Sequence, residues 1–239
     1  MKKTIVVIPT YNENNNILKL YNSLVGLKIK FDILFVDDNS NDGTKEKILL
    51  LSKKSNVNFI FRKNKLGIGS AHKDAFIWCF KKNYNFIITM DGDGTHKAVY
   101  IKKMLKLKDN YDIIITSRFI KKSSLKDCPK FRILLTTLRF YLINIILGVN
   151  LDSSGAFRLI NAKQIKEKDL LLAKDNGYSY FWESLFILYN KNYRIIEIPI
   201  IMPYRKKGSS KMKISDILRA LCYLFIVFLK KKTGHYNFK

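Results

Sequence analysis

The sequence has little of the residues that would mark a disulfide-rich or metal-cluster protein. It contains 3 cysteines and 4 prolines among 239 residues. Cys79, Cys128 and Cys222 are widely spaced and form no Cys-x-x-Cys pair, which argues against a cysteine-based metal site and against a disulfide framework. We therefore expect free thiols in a reducing compartment.

Long apolar runs are lacking as well. No stretch offers about 18 uncharged apolar residues, the length that a clear transmembrane helix requires. The apolar run after Met1-Lys2-Lys3 is too short for the core of a signal peptide, so we expect no signal peptide. Apolar residues still make up 47% of the chain, which is enough for a full core in one α/β domain with an appendage.

Acidic residues are scarce. The chain has 44 Lys and Arg residues against 19 Asp and Glu residues, which gives a formal net charge of +25. A base-biased genome, which would raise the lysine content, is one source of such an excess. The other interpretation is an anionic partner, which on charge alone is a nucleotide, a phosphorylated lipid, an acidic membrane surface or a nucleic acid.

Two of the few acidic residues follow a short apolar run. Residues 87–90 are typical of a buried parallel strand, and the chain continues as Asp91-Gly92-Asp93-Gly94. The glycines allow a sharp turn that brings both carboxylates near one point. Paired hard oxygen ligands suit Mg²⁺ or Mn²⁺. An acidic turn that only caps the next helix is the alternative interpretation.

The apolar pattern predicts strands that alternate with helices. The predicted strands cover residues 4–8, 32–36, 57–61, 86–90, 112–116, 153–160 and 194–200. Helices are predicted between the early strands and at residues 98–107, 131–147, 162–172, 180–189 and 214–229. This order indicates an α/β fold with a mostly parallel, doubly wound sheet flanked by helices. The polar clusters that follow the strands should converge on the carboxyl edge of that sheet.

These polar clusters, in their order along the chain, resemble the motifs of one family. They are Pro9-Thr10-Tyr11-Asn12-Glu13, Val36-Asp37-Asp38-Asn39-Ser40, Asp91-Gly92-Asp93, Thr116-Ser117-Arg118-Phe119, Ser154-Gly155-Ala156-Phe157-Arg158, and Tyr204-Arg205 with Gly208-Ser209-Ser210-Lys211. The set resembles the GT-A glycosyltransferases of family 2, specifically the polyprenyl-phosphate (dolichol-phosphate) mannose synthases. The chain departs from the family at Gly92 and Gly94, where Ala and Leu are more usual.

The resemblance implies a GT-A (Rossmann-like) fold and a metal-dependent inverting enzyme. Such an enzyme moves mannose from GDP-mannose to a polyprenyl (dolichyl or undecaprenyl) phosphate. The metal residues implied are Asp91, Asp93 and Thr95, with Mg²⁺ or Mn²⁺ as cofactor. The nucleotide-sugar residues implied are Pro9, Tyr11, Glu13, Val36, Asp38, Asp91, Gly92, Asp93, Arg205 and Lys211. The catalytic residues implied are Asp93, Arg118, Arg205 and Lys211. The residues implied to bind the acceptor phosphate are Arg118 and Arg132.

The residue types suit these roles on the donor side. Tyr11 offers a ring to the base, and Glu13 and Asp38 can accept hydrogen bonds from base or ribose groups. Asp91 and Asp93, through a divalent ion, would neutralise the diphosphate leaving group. Core packing is the alternative for Tyr11, and a helix N-terminal charge is the alternative for Glu13.

The acceptor side calls for positive charge and no general base. A polyprenyl phosphate oxygen is already anionic near pH 7, because its second pKa is close to 6. Arginine and lysine hold such a group well. The segment 205–211 is either a mobile lid over phosphate or a solvated basic loop. The roles of Glu183 and His96 stay open: a site hydrogen bond or a core network for the former, and a ligand, a hydrogen bond or a helix cap for the latter.

Two helical segments suggest contact with a lipid surface. Residues 131–147 are strongly apolar, and residues 220–229 are followed by Lys230-Lys231-Lys232. Both suit helices in the membrane interface with basic groups on anionic headgroups, and ordinary core helices are the alternative. We therefore expect a catalytic domain at residues 1–212, an amphipathic interface helix with a basic tail at residues 213–239, and a peripheral enzyme on the cytoplasmic face of a membrane.

Other functions fit part of this pattern. The same chemistry with another donor, such as UDP-glucose, or with another acceptor is the nearest alternative. A basic nucleic-acid-binding protein is an alternative from a different class, but the acidic clusters at the strand ends oppose it and we expect no nucleic-acid partner. Metal-dependent binding of a nucleotide sugar, without affinity for RNA, would discriminate between them.

Overall fold

Strands and helices alternate along the chain, as the apolar pattern predicts. The computed structural model describes residues 3–125, 128–202, 214–234, 236 and 238. Its elements are β1 (Thr4–Thr10), α1 (Asn14–Val25), β2 (Asp32–Asp37), α2 (Thr44–Ser52), β3 (Val57–Phe61), α3 (Ile68–Lys81), β4 (Phe86–Thr89), α4 (Tyr100–Leu107), β5 (Ile113–Ser117), a 3-10 turn (Lys122–Leu125), α5 (Lys130–Leu147), β6 (Arg158–Asn161), α6 (Glu167–Leu171), α7 (Tyr180–Asn190), β7 (Ile195–Pro199) and α8 (Ile214–Lys232).

The seven strands form one sheet in the order β3-β2-β1-β4-β6-β5-β7. The β1 strand pairs in parallel with both β2 and β4, and β5 pairs in parallel with β7. The β6 strand is antiparallel to both of its neighbours. It runs the other way because α5 packs against α7 and α8 instead of crossing back over the sheet. The sheet is therefore mostly parallel, with one reversed strand.

Helices cover both faces of the sheet, so its central strands are buried on both sides, while the edge strands β3 and β7 are only partly buried. Alternate residues of β1 belong to different core layers, as the period of two requires. Val6 and Ile8 pack in the layer formed with α1, α2 and α4. Ile5 and Val7 pack in the layer formed with α3, α6 and α7. All four of these side chains are fully buried.

A third apolar cluster joins α5 and α8 to α7. It contains the buried residues Ile143, Leu147, Val149, Trp182, Phe186, Leu224 and Val227. The opposite faces of α5 and α8 stay apolar and exposed; Phe131 is 71% exposed, Ile145 is 79% exposed and Phe225 is 59% exposed. None of the helices within the described ranges combines the length and apolar character needed to cross a bilayer.

Glu183 ties the C-terminal part of the chain to this cluster. Its carboxylate is fully buried on α7. Its Oε1 accepts hydrogen bonds from the hydroxyls of Tyr223 (2.7 Å) and Tyr236 (2.8 Å). Its Oε2 accepts from the backbone N–H groups of Lys174 (2.8 Å) and Asp175 (3.0 Å). Of the two roles left open by the sequence, this is the core polar network.

Two predicted elements are shorter in the structure. The strand predicted at residues 153–160 begins only at Arg158, because the Arg158 guanidinium folds back onto the preceding segment. It donates to the carbonyl oxygens of Ser153 (2.7 Å) and Gly155 (2.8 Å). The helix predicted at residues 162–172 is confined to Glu167–Leu171.

Candidate functional site

The candidate site lies at the carboxyl edge of the sheet, between β1 and β4. Strands β2 and β3 lie on one side of β1, and β4 lies on the other, so the strand order reverses at this point. Ligands of open α/β folds bind in the crevice at such a switch point. Thr10 at the end of β1 is paired with Asp37 at the end of β2, and Asp91 follows β4 two residues after Thr89.

The turn at Asp91–Asp93–Thr95, called the acidic turn below, is built by its two glycines. A Cβ on Gly92 would lie 3.1 Å from the carbonyl oxygen of Pro9, so the chain passes close against the end of β1. Gly94 has φ +77°, in the left-handed region that favours glycine. The Asp93 Oδ1 then accepts hydrogen bonds from the Thr95 N–H (2.9 Å) and hydroxyl (2.7 Å), which closes the turn.

Asp91 is in an unfavourable place for a negative charge. Removal from water raises the pKa of its carboxyl, and the charges of Asp93 and Glu13 raise it further, against the opposing effects of His96 and Arg118. A cation at this turn would relieve that repulsion. His96 accepts a hydrogen bond from the Asp91 N–H at its Nδ1 (3.0 Å), and its Nε2 lies 3.7 Å from Asp91 Oδ2.

The donor set at the acidic turn fits a divalent ion shared with a substrate. Within the described residues, no group of three or more His, Cys, Asp and Glu side chains is placed to hold a metal. The carboxylates of Asp91 and Asp93 would therefore share an ion with water and with phosphate oxygens, as Mg²⁺ commonly requires. The Thr95 hydroxyl donates its proton to Asp93 and keeps its oxygen lone pairs, so its role as a metal ligand stays a prediction.

The residues predicted to hold the nucleotide sugar lie around the ends of β1 and β2. Pro9 and Val36 are paired across the two strands, and Val36 is fully buried. The partly exposed ring of Tyr11 lies under the Lys65 ammonium, 3.8 Å from the ring centroid. Glu13 is buried, and its Oε2 accepts a hydrogen bond from the Asn16 side-chain amide (2.6 Å).

Asp38 holds the loop after β3. Its Oδ1 accepts hydrogen bonds from Arg62 (2.8 Å) and from the Leu66 N–H (2.9 Å), and its Oδ2 accepts from the Gly67 N–H (2.9 Å). The neighbouring Asp37 caps its own turn through the Ser40 N–H (2.8 Å). A contact between Asp38 and a ribose stays a prediction, and the structure adds a loop-positioning role for this carboxylate.

Arg118 lies at the same sheet edge as the acidic turn. It follows β5 and makes a bidentate pair with Asp152, through Nε (2.9 Å) and Nη2 (2.7 Å). Burial alone would lower the pKa of the guanidinium, but the charges of Asp152 and Asp91 raise it above its usual range. The negative charges of Asp91 in the acidic turn and of Asp152 therefore both stabilise the protonated form of Arg118. Arg132, the second predicted phosphate residue, is exposed on the first turn of α5.

Arg205 and Lys211 lie outside the described residues. The residues missed by the sequence analysis are Asp152 and Arg139, which complete the surroundings of Arg118. Asp152 lies two residues before the Ser154–Arg158 motif. Its residue type alone does not predict that it forms a bidentate ion pair with Arg118, 34 positions earlier. Arg139 did carry a signal, since a charged residue within an apolar helix, seven positions after Arg132, falls on the same helix face.

Comparisons with known proteins agree with this geometry. Residues 5–167 match the sequence profile of "Glycosyl transferase family 2". The chain is 29% identical over 224 residues to polyprenol monophosphomannose synthase of Mycolicibacterium smegmatis, covering 92% of this chain and 84% of that protein. It is 32% identical over 233 residues to dolichol-phosphate mannosyltransferase of Pyrococcus furiosus, covering 93% of this chain and 63% of that longer protein.

Solved structures show the same fold at low identity. Glucosyl-3-phosphoglycerate synthase from Mycobacterium tuberculosis, in complex with Mn²⁺, UDP and glucosyl-3-phosphoglycerate, is similar with a TM-score of 0.62 and 16% identity, covering 98% of this chain and 80% of that chain. The same synthase with Mg²⁺ and UDP has the same TM-score of 0.62. The predicted GT-A fold is thereby confirmed. The profile match over more than half of the chain shows that this protein belongs to glycosyl transferase family 2 and is a glycosyltransferase.

Proposed function

We propose that this glycosyltransferase transfers mannose from GDP-mannose to a polyprenyl phosphate, with inversion at the anomeric carbon and with Mg²⁺ or Mn²⁺ at the acidic turn. The observation that carries the proposal is that the acidic turn after β4 and Arg118 after β5 lie at the same edge of the sheet, since both strands are antiparallel to β6 between them. A diphosphate bound through the acidic turn and a phosphate bound at Arg118 would be neighbours. Two phosphorylated substrates are what the proposed reaction must bring together.

On the donor side, the chain orients the nucleotide and its leaving group. Tyr11 offers a ring face to the base, and Glu13 a buried carboxylate close to the turn. Asp91 and Asp93 would hold the ion, which when bound neutralises the charge that develops on the departing diphosphate. Arg205 and Lys211 are proposed to supply further positive charge to the same phosphates.

On the acceptor side, the chain holds an anion that is already a nucleophile. A phosphate monoester carries about −1.5 to −2 charges at pH 7, so no side chain has to remove a proton from it. The task of Arg118 and Arg132 is to fix one phosphate oxygen on the face of the sugar opposite the diphosphate. Attack from that face inverts the anomeric centre.

The long apolar part of such an acceptor requires a lipid-facing surface. The exposed apolar faces of α5 and α8 suit contact with the interface of a membrane, and Lys230–Lys232 form the last turn of α8. Basic residues in that position favour an anionic leaflet. We propose a peripheral enzyme on the cytoplasmic face, which agrees with the free thiols of all three cysteines.

Two relatives support the acceptor and the sugar. The proteins from M. smegmatis and P. furiosus are named for mannose together with a polyprenol or dolichol phosphate. Undecaprenyl-phosphate mannosyltransferase of Micrococcus luteus, 28% identical over 212 residues, agrees with them. The donor base is our inference from the family resemblance, and UDP-glucose is the alternative donor.

The decisive assay offers the full-length protein a panel of labelled nucleotide sugars. Each is incubated with membrane lipid extract and with Mg²⁺, Mn²⁺ or EDTA, and labelled lipid is extracted and counted. We expect label from GDP-mannose to enter a mild-acid-labile lipid only when a divalent ion is present. Transfer from UDP-glucose alone would contradict the proposed donor. Full transfer in EDTA would contradict the proposed ion, and label in a non-lipid product would contradict the acceptor.

A further inference from the structure

The surroundings of Arg118 contain a third arginine that the donor and acceptor assignments above do not use. Arg132 and Arg139 are both on α5, seven residues apart. Seven residues make two helical turns, or about 10.5 Å of rise, so both side chains leave the same face of the helix. We call Arg118, Arg132 and Arg139 the arginine cluster.

Arg118 and Arg139 meet at a single hydroxyl. The Ser154 Oγ accepts hydrogen bonds from Nη2 of Arg118 (2.6 Å) and from Nη2 of Arg139 (3.1 Å). The Ser154 hydroxyl donates a hydrogen bond to Oδ1 of Asp152, and the two oxygens are 3.2 Å apart. A hydroxyl has two acceptor lone pairs and one proton, so Ser154 is saturated by these three contacts and brings the two guanidinium groups side by side.

The positive charge of Arg139 is only partly neutralised within the described residues. Asp152 is the carboxylate there that acts on Arg139, and both of its oxygens are already engaged by Arg118. Ser154 is the hydrogen-bond acceptor that the described part of the chain gives to Arg139. The charges of Arg118 and Arg132 both act on Arg139. Such a partly buried guanidinium without a carboxylate of its own is a strong binding group for an anion.

The electrostatics agree with this geometry. Burial and the neighbouring charges of Arg118 and Arg132 lower the pKa of Arg139 to about 10, against the opposing effect of Asp152. The guanidinium is therefore still protonated at pH 7, but the neighbouring positive charges destabilise it. A bound dianion would offset that repulsion.

We propose that Arg139 is a third arginine that contacts the acceptor phosphate, next to Arg118 and Arg132; this inference rests on the proposed acceptor class. The division of labour follows from the contacts. Arg118 is fixed by Asp152 and borders the acidic turn, so it positions the phosphate toward the donor. The described residues give Arg139 the Ser154 hydroxyl in place of a bidentate carboxylate, and it binds the phosphate from the helix side, where it balances the second negative charge of the phosphate.

The experiment uses citronellyl phosphate, a short soluble prenyl phosphate, as the probe. Its binding to the full-length protein is measured by calorimetry for the wild type, Arg139→Gln, Arg139→Lys and the control Lys106→Gln. The control also removes one positive charge, from an exposed position on α4. Citronellol, which lacks the phosphate, is measured in parallel. Affinity for GDP with Mn²⁺ and the melting temperature are recorded for every variant.

We expect Arg139→Gln to weaken citronellyl phosphate binding by about tenfold or more, the size of a lost charge-assisted hydrogen bond. Arg139→Lys should recover part of the loss, and Lys106→Gln should bind like the wild type. Binding of GDP with Mn²⁺ should be unchanged in all of them. In the transfer reaction, Arg139→Gln should raise KM for the lipid acceptor and leave KM for the nucleotide sugar as it was.

Three results would overturn the inference. Wild-type affinity in Arg139→Gln would remove Arg139 from the acceptor site while leaving the proposed function in place. A parallel loss of GDP binding and of melting temperature would show that Arg139 acts only through the fold, by positioning Ser154 and Asp152. Equal binding of citronellyl phosphate and citronellol to the wild type would contradict the proposed acceptor itself, and the role of Arg139 with it.

Discussion

Asp93 has two tasks at the acidic turn, and they can be separated by substitution. Its Oδ1 closes the turn through Thr95, while the carboxylate charge is proposed to hold the ion. In Asp93→Asn the side-chain carbonyl can still close the turn, but the charge is gone. We predict that Asp93→Asn abolishes transfer and keeps the melting temperature, because loss of a metal ligand removes several kcal/mol of transition-state stabilisation.

The matched control for this change is Asp109→Asn, an exposed carboxylate just beyond α4. Transfer rates and Mn²⁺ affinity are measured for both variants. If Asp93→Asn kept most of its activity at saturating Mg²⁺ or Mn²⁺, the assignment of the ion to the acidic turn would be wrong.

His72 makes the fold sensitive to mild acid. It is buried among the rings of Phe76, Tyr180 and Phe181, beside a cavity of about 10 Å³, and neither ring nitrogen has a partner in the described structure. Burial, with the charge of Arg158, lowers the pKa of His72 from 6.5 to about 3. The unfolded chain therefore binds a proton below pH 6.5 that the folded chain does not take up.

The sign of the effect follows from that difference in proton binding. The stability that neutral His72 contributes is present above pH 6.5 and decreases as the pH falls toward 3, by at most about 1.4 kcal/mol per pH unit. We predict that His72→Phe flattens the dependence of unfolding free energy on pH between 4.5 and 6.5. Urea titrations of both proteins across this range measure the two slopes, and parallel curves would contradict the prediction.

At the residue scale, the position of a residue after a predicted strand identifies some side chains of the candidate site and misses others. Asp91 and Asp93 could be found because a buried strand ends at them, and the strand alone places them at the sheet edge. The partnership of Arg118 with Asp152 depends on how α5 returns the chain to β6, which no local pattern encodes. Which of several polar oxygens is free for a ligand, as at Asp38, is likewise decided by tertiary contacts.

At the scale of elements, the loop before α7 packs directly on the start of α3. The carbonyl oxygen of Asn176 accepts hydrogen bonds from the N–H groups of Gly69 (2.8 Å) and Ser70 (3.2 Å). Gly67 has φ +100°, and a Cβ there would collide with the same Asn176 oxygen. Because Asp38 binds the Gly67 N–H, this contact connects the loop to the predicted nucleotide site.

We predict that Gly67→Ala destabilises the fold by about 2–4 kcal/mol, through a backbone collision and an unfavourable φ together. Gly234→Ala is the matched control, since Gly234 also has a positive φ (+69°) but nothing lies within 4 Å of its Cβ position. It should cost about 1–2 kcal/mol. Urea unfolding measures both changes, and equal costs would show that the contact with Asn176 is not a constraint.

The elements themselves were largely predictable, and their exceptions have a common cause. Strands β1, β2, β4 and β5 are almost entirely buried, and helices α1 to α4 follow strands β1 to β4, so period and length identify these elements. The direction of β6 and the short α6 depend on where α5 and α7 pack. Residues 153–157 precede the apolar end of β6 and are predicted as part of that strand, but the Arg158 guanidinium binds the carbonyl oxygens of Ser153 and Gly155.

At the scale of the whole molecule, a strongly basic chain leaves two apolar helix faces uncovered. Charge and composition predicted an anionic partner but could not distinguish a core helix from an interface helix. The structure shows that α8 has a core face and an exposed apolar face: Leu224 and Val227 are buried in the third cluster, while Phe225, Ile226 and Leu229 are exposed. The inner face holds the helix on the domain, so the outer face can be altered without removing the helix.

The last prediction tests that outer face. We predict that Phe225→Ser/Leu229→Ser reduces flotation with anionic vesicles at least tenfold, since each buried apolar side chain is worth about 1.5–3 kcal/mol. Leu49→Ser/Leu50→Ser on α2 is the matched control; its side chains are 46% and 57% exposed, against 59% and 45% for Phe225 and Leu229. Melting temperatures should be similar in both variants.

The wild type should float less at high salt and with neutral lipid, because Lys230–Lys232 contribute roughly 1 kcal/mol each near an anionic leaflet. Transfer to a long polyprenyl phosphate in vesicles should fall with flotation, while transfer to citronellyl phosphate should be unchanged because the sugar site lies at the sheet edge. Equal flotation of the two variants would remove α8 from the membrane contact, and flotation that survives high salt and carbonate would show insertion deeper than the interface.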